Sequence, residues 1–232
     1  MYKHNSFLAV ILARGGSKRL PRKNVLDFCG KPLIAWSIDA CLNSQYIDKV
    51  LVSSDDEEIL QISKEYGADI IERPPELASD TSPSFDALGH ALSYNDKFDY
   101  VVMIQPTSPL RQSKHIDEAI EYLFDKNADS VVSVCEAEHS PLWSNTLPSD
   151  LDMSNFLPSI ATGKRSQDLP KFYRLNGAIY ICEKDALMSQ KTFFLKDKVY
   201  AYVMDKKHSV DIDDELDFKF AQILCNESLR KV

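Results

Sequence analysis

The chain lacks the marks of several large functional classes. It has no basic excess: 27 Lys and Arg stand against 35 Asp and Glu, a formal net charge of -8. That balance argues against nucleic acid, or an anionic membrane surface, as a bulk partner. The five cysteines (Cys29, Cys41, Cys135, Cys182, Cys225) are scattered and form no C-x-x-C pair, which suits reduced thiols better than a disulfide framework. The histidines show neither H-x-H nor H-E-x-x-H spacing, so a zinc site is not expected. No apolar run approaches membrane-spanning length, and MYKHNSF leads straight into an apolar strand without the pattern of a signal peptide. A cytoplasmic protein is expected. Internal repeats, low-complexity tracts and inter-domain linkers are missing too.

What is present suits one α/β domain over residues 1–232, with 44% hydrophobic and 27% charged residues. The apolar run Phe7–Ala13 reads as a buried strand. It feeds a loop holding Arg14, Lys18, Arg19, Arg22 and Lys23 with two glycines and no acid. A Gly-containing turn at a strand's carboxyl end presents N–H groups and cations where open α/β sheets bind ligands, anions above all. By itself such a loop reads equally well as a solvated basic turn.

Strand and helix then alternate, as in a mostly parallel sheet. A helix is predicted after Pro32 and a strand at 50–52. The Ser53–Asp56 cluster starts a helix that Gly67 closes. A strand at 70–71 precedes Arg73-Pro74-Pro75, and the polar stretch 77–84 leads into a helix over 85–92. A strand at 100–104 ends in Gln105-Pro106-Thr107-Ser108-Pro109-Leu110-Arg111. Ile116, Ala119, Ile120, Leu123 and Phe124 recur at helical spacing, and 131–134 is the next strand. Between about 138 and 172 neither period holds. Tracts this long are functional, disordered or interfacial, and the aromatics and Met argue against disorder. This tract is expected to be an arm packing on a second copy of the chain. Strands follow at 177–182 and 199–204, with a short helix at 183–188 between them and a final helix from Glu215 to about Leu224 with a broad apolar face.

Asp211 and Asp213 flank Ile212. On an extended segment residues i and i+2 face the same way, so two carboxylates share a side while Ile212 faces the core. Hard oxygen ligands beside phosphate suit Mg²⁺; an acidic helix start is the other reading, and Asp214 and Glu215 fit it. A cationic loop with an acidic pair matches the needs of nucleotidyl transfer. G-x-G-x-x-G and G-x-x-x-x-G-K-[ST] are both absent, which removes the ordinary dinucleotide and P-loop readings.

The stretches ILARGGSKRLPRKN, RPPELASDTSPS, QPTSPLR, KRSQDLPKFYRLNGAIYI and SVDIDDELDF fall in order along essentially the whole chain. Together they resemble the acylneuraminate cytidylyltransferases, the CMP-sialic acid synthetases. The resemblance implies a Rossmann-like nucleotidyltransferase fold, a mostly parallel central sheet flanked by helices, with a dimerisation arm at 138–172. It implies a reaction joining CTP to a nine-carbon 2-keto sugar acid, N-acetylneuraminate or its relatives legionaminate and pseudaminate, with Mg²⁺. By matching position, Arg14, Ser17, Lys18 and Lys23 should line the triphosphate, with Lys23 and Arg14 catalytic. Asn24, Arg73 and Ser84 should hold cytidine and ribose, and Ala13 with nearby backbone should read the base. Gln105, Arg174, Asn176, Tyr180, Phe193 and Phe194 should form the sugar pocket, with Arg165 reaching across a homodimer interface. Asp211 and Asp213 should bind the metal, and Asp211 should help deprotonate the sugar hydroxyl. The alternative from another class is a catalytically idle nucleotide or sugar sensor on the same scaffold.

Overall fold

Phe7–Leu12 forms the central strand β1, and its alternation assigns the two faces of the sheet. Phe7, Ala9 and Ile11 are buried in one apolar cluster and Leu8 and Val10 in another. The computed structural model describes residues 1–79 and 81–230; Asp80, in the polar stretch 77–84, lies outside them. After β1 come the short hairpin strands β2 (Asp27–Phe28) and β3 (Lys31–Pro32), then α1 (Leu33–Leu42), β4 (Lys49–Ser54), α2 (Glu57–Glu65), β5 (Asp69–Glu72), α3 (Ser84–Ser93) and β6 (Tyr100–Ile104). The second half supplies α4 (Ser113–Asp125), β7 (Ser130–Glu136), β8 (Tyr173–Glu183), α5 (Lys184–Gln190), β9 (Val199–Met204) and α6 (Glu215–Leu229).

Seven strands make one sheet in the order β5-β4-β1-β6-β8-β7-β9. β1 pairs parallel with both β4 and β6, β4 with β5, and β7 with β9. β8 runs antiparallel to β6 and β7. Side chains of α1, α2 and α4 cover one face, and those of α3 and α5 the other. Strand order reverses direction at β1 and β6, so a crevice forms between their carboxyl ends, the usual ligand position in such sheets. Both the cationic loop and the Gln105–Arg111 loop leave the sheet there.

Most elements form where the pattern predicts them. Asp56 caps α2 by accepting from Ile59 N at 3.0 Å, and Gly67 closes it at φ +88°. β8 is longer than the predicted strand because it starts before Gly177 rather than at it. Gly177 sits at φ +70°, where the pairing with β7 shifts register between Val132 and Val134. Its missing Cβ leaves room for Gln105 Oε1, which lies 2.2 Å from where a Cβ would be. α6 also runs further than expected, and its apolar face is only partly used. Phe218, Ala221 and Cys225, at i, i+3 and i+7, pack inward against Phe28 and Ile212. Leu216, Phe220 and Ile223 stay in water, Leu216 at 75% exposure. A helix can bury one stripe of such a sequence against a flat support, not its whole circumference. Residues 137–172 carry two short helical turns and expose Leu147, Leu151, Met153, Leu157 and Ile160. Among the described residues, no helix is long and apolar enough to cross a membrane.

Candidate active site

The cationic loop is held by its own backbone and by α2. Gly15 N donates to Asp55 Oδ1 at 3.1 Å and Ser17 N to Gly15 O at 3.0 Å. A Cβ on Gly15 would lie 2.7 Å from Asp56 Oδ2, so any larger residue would displace the Asp56 side chain. Arg22 adopts the left-handed conformation (φ 59°) and sends its guanidinium to Asp56 and Glu58. The hydrogen bond from Arg22 holds the Asp56 carboxyl below the usual range. With Arg22 turned towards α2, the next two residues turn inward: Lys23 is 7% exposed and Asn24 is also buried. Asn24 Nδ2 donates to Arg14 O at 3.1 Å, while its Oδ1 is buried with no partner.

The acidic segment arrives from the other end of the chain. Ile212 N donates to Thr107 O at 2.8 Å, and the Ile212 side chain is fully buried. Asp214 caps α6, accepting from Leu216 N at 2.8 Å and Asp217 N at 3.0 Å. The helix start is therefore served by Asp214, and Asp211 and Asp213 face the cavity instead. Lys23 Nζ donates to Ile212 O and lies 3.9 Å from Asp213 Oδ1. Arg19 Nη2 pairs with the same oxygen at 2.8 Å. Burial pushes the Lys23 ammonium below its ordinary pKa, against the pull of Asp213 and Asp211. Burial raises the Asp211 carboxyl, a hydrogen bond from Thr107 opposes it, and the Asp213 charge adds to the rise. Asp211 Oδ1 is buried without a partner.

Both halves line one cavity of about 610 Å³. Of the residues singled out from the sequence, Arg14, Ser17, Lys18, Lys23, Asn24, Ser84, Gln105, Asp211 and Asp213 face it. Arg73 lines an adjoining cavity of about 270 Å³ that shares Leu12, Arg14 and Ser84 with the first. Its guanidinium is anchored by Ser53, through Nη2 to the carbonyl at 2.7 Å and Nε to the hydroxyl at 3.2 Å. Ala13 is buried, its N–H bonded to Ser53 O at 3.0 Å.

A cytidylyltransferase family model matches residues 8–227. The chain belongs to the cytidylyltransferase family. It is 42% identical over 214 residues to an N-acylneuraminate cytidylyltransferase of Streptococcus agalactiae serotype III, an alignment covering 91% of this chain and 51% of that protein. It is 35% identical over 222 residues to a pseudaminic acid cytidylyltransferase of Campylobacter jejuni, covering 94% and 95%. The chain thus spans about half the length of the N-acylneuraminate relatives it matches. A solved CMP:2-keto-3-deoxy-manno-octonic acid synthetase complexed with CTP superposes with a TM-score of 0.73 at 17% identity, over 96% of this chain and 99% of that one. At that identity the superposition speaks for the fold alone.

In this member of the family the remaining expected residues lie outside the main cavity. Asn176, 1% exposed, is enclosed by protein partners. Its Nδ2 donates to Ser209 Oγ at 2.9 Å, and its Oδ1 accepts from Ser133 Oγ at 2.6 Å and Ala178 N at 3.2 Å. Tyr180 and Phe193 pack together in the core, ring centroids 5.5 Å apart, while Phe194 is exposed. Arg174 makes a two-pronged contact with Glu138, both bonds 3.1 Å. Arg165 is exposed on the 137–172 tract and pairs with Asp168 at 3.0 Å. Two contributors were not singled out from the sequence. Arg19 appeared only as part of a charge run, and Thr107 only as one polar residue of a loop, because their partners Asp213 and Asp211 lie about a hundred or more residues away.

Proposed function

We propose that this cytidylyltransferase joins CTP to N-acetylneuraminate, a nine-carbon 2-keto sugar acid, giving the CMP-sugar and pyrophosphate. One observation carries the reading: a cationic loop and an acidic pair, nearly a chain length apart in sequence, face one cavity of about 610 Å³. That volume lies in the range of ligand sites, and the charge arrangement suits a triphosphate whose leaving group must be neutralised.

Arg14, Ser17 and Lys18 hold the triphosphate, and Lys23 stabilises the charge that develops at the α-phosphorus. Asn24, Arg73 and Ser84 hold cytidine and its ribose beside Ala13, and the unpartnered Asn24 Oδ1 is an acceptor awaiting a nucleotide donor. The sugar 2-hydroxyl gives its proton to Asp211, whose buried Oδ1 has no partner of its own and faces the cavity from beside Asp213. The hydroxyl oxygen bonds to the α-phosphorus, and the bond from phosphorus to the β-bridging oxygen breaks. Its electron pair leaves with pyrophosphate. Gln105 contacts the sugar from the main cavity. Arg174, Tyr180, Phe193 and Phe194 shape its acyl end, closed by Arg165 of the partner subunit in a homodimer. Asn176 supports this wall.

The acidic pair fits Mg²⁺. Asp211 Oδ1 is a buried oxygen without a partner beside a second carboxylate. Mg²⁺ takes one or two carboxylates and completes its shell with water and substrate oxygens, so a pair of aspartates beside a phosphate site meets its demand. Asp211 and Asp213 would hold the ion, which would supply positive charge against the triphosphate and its leaving group.

Pseudaminate is the second reading, favoured by the near full-length match to the Campylobacter jejuni protein. The deciding experiment follows pyrophosphate release from CTP and Mg²⁺ with N-acetylneuraminate, legionaminate, pseudaminate and 2-keto-3-deoxy-manno-octonic acid in parallel. Preferred turnover of N-acetylneuraminate supports the proposal, and preference for another acid renames the substrate. CTP binding without turnover of any acid supports the sensor reading. A monomeric mass at micromolar concentration would count against Arg165 acting across an interface.

A further inference from the structure

The loop after β6, residues 105–111, meets three consecutive residues of β8. Ser108 Oγ donates to Asn176 O at 3.1 Å. Gly177, without a Cβ, leaves the space that the Gln105 side chain occupies. Ala178 O accepts from Arg111 Nη1 at 3.4 Å. The same Nη1 donates back into the loop, to Gln105 O at 3.3 Å and Ser108 O at 3.2 Å. One nitrogen thus joins two carbonyls of the loop to the strand beside it.

Arg111 is 2% exposed. Burial pushes its guanidinium pKa down to about 10, which still leaves it charged at neutral pH. Its Nε and Nη2 are closed off from solvent and have no hydrogen-bond partner. A buried charge with two idle donors is an expensive way to fill space, and an apolar side chain of similar length would fill it at lower cost. What the guanidinium adds is the set of charge-assisted bonds from Nη1.

Those bonds brace groups on two sides of the main cavity. Gln105 and Thr107 both line it. Thr107 O accepts from Ile212 N at 2.8 Å, and the Thr107 side chain hydrogen-bonds the Asp211 carboxylate. The loop that Arg111 fixes therefore fixes the acidic segment in its turn.

We propose that Arg111 is a positioning residue for the transfer reaction: it sets residues 105–108 against β8, and so places Gln105 towards the sugar acid and Thr107 against the Asp211 segment. The consequence for sugar and base rests on the function proposed above; the hold on the loop does not.

Arg111→Met in the full chain keeps the bulk and removes the Nη1 bonds. Backbone hydrogen exchange should then quicken about tenfold at Ser108 and Ile212, whose N–H groups bond to Gln105 O and Thr107 O, while β1 exchanges as in wild type. With N-acetylneuraminate, or whichever of the four acids wild type turns over, kcat/KM for the acid should fall about 10- to 100-fold. The KM for CTP should stay within about twofold, because the cationic loop is untouched. Arg111→Lys keeps the charge and loses the fork; it is the deciding variant where Arg111→Met does not fold, and the same two losses are expected of it. Unchanged exchange at Ser108 and Ile212 overturns the hold on the loop. Exchange that quickens equally in β1, or a quickened loop with wild-type kinetics, makes Arg111 a part of the core alone and overturns the positioning role. Where wild type turns over none of the acids, the proposed function fails, and the exchange result by itself decides whether Arg111 holds the loop.

Discussion

Asp211→Asn separates what this carboxylate does for chemistry from what it does for folding. Asparagine keeps the shape and can still accept from Thr107, so the bond worth about 1 kcal/mol survives. What disappears is a charge that burial and Asp213 both disfavour, on a carboxylate with a partnerless buried Oδ1. A group whose folded pKa is raised stabilises the fold below its unfolded value and loses that contribution as pH rises through the folded one. Asparagine carries no charge to bury at any pH, so the variant should gain stability relative to wild type as pH rises through that folded value. Its new Nδ2 is the offsetting term, because a buried donor must also find a partner. Turnover should behave in the opposite way. Removing a base costs about 10²- to 10⁴-fold, about 3 to 5 kcal/mol of transition-state stabilisation, before any loss of metal binding. The assays are urea unfolding at pH 7 and pyrophosphate release with CTP and Mg²⁺. Turnover within threefold of wild type would refute the base and metal roles. A stability loss above about 2 kcal/mol would show that the carboxylate holds the 205–214 segment in place rather than burdening it.

Gly177→Ala forces a Cβ to 2.2 Å from Gln105 Oε1 at a positive φ; urea unfolding should show a loss of about 1 to 3 kcal/mol, with sugar KM rising as Gln105 is displaced. Asp56→Asn removes a carboxylate whose pKa the Arg22 bond depresses. Such a group stabilises the fold above its unfolded pKa and loses that contribution as pH falls through the folded one, so denaturant melts from pH 5 to 2.5 should fall less steeply in the variant than in wild type. Asn176→Ala leaves Ser133, Ser209 and Ala178 short of partners and should cost about 2 to 4 kcal/mol. A variant with wild-type stability but a raised sugar KM would return Asn176 to direct contact with substrate. Lys23→Ala should lower kcat at least about 100-fold while leaving CTP binding within tenfold by calorimetry, and an unchanged kcat would remove Lys23 from the transition state.

The parts of the fold legible in the sequence are those written in local code. β1 alternates its buried side chains between two faces, α4 shows its apolar stripe at helical spacing, and Asp56 and Gly67 mark the ends of α2. The cationic wall of the cavity was legible for the same reason, since Arg14 to Asn24 is one contiguous loop. β8 was read short because the Asn176-Gly177 pair looks like punctuation, and only the neighbouring Gln105 explains why a strand passes through it. The α6 face was read too broad because sequence shows which side chains are apolar but not how much surface lies opposite to cover them.

Asn176 shows where residue-type reasoning reaches its limit. An amide is a natural partner for sugar hydroxyls, and its place in the RLNGAIYI stretch gave it that role. Yet both ends of the amide are taken up by Ser133, Ala178 and Ser209, residues dispersed over β7, β8 and the approach to Asp211. Burying such an amide is tolerable only because every strong donor and acceptor is matched. The same hydrogen bonds fix Ser209 two residues before Asp211, so the amide can influence the acidic pair without touching a ligand. Lys23 makes the complementary case. Its burial looks unfavourable for an ammonium until Ile212 O and Asp213 are placed beside it. Partners that explain both residues are remote in sequence and adjacent only after the sheet has closed, and so the cationic loop could be picked out along the chain while the groups that support it could not.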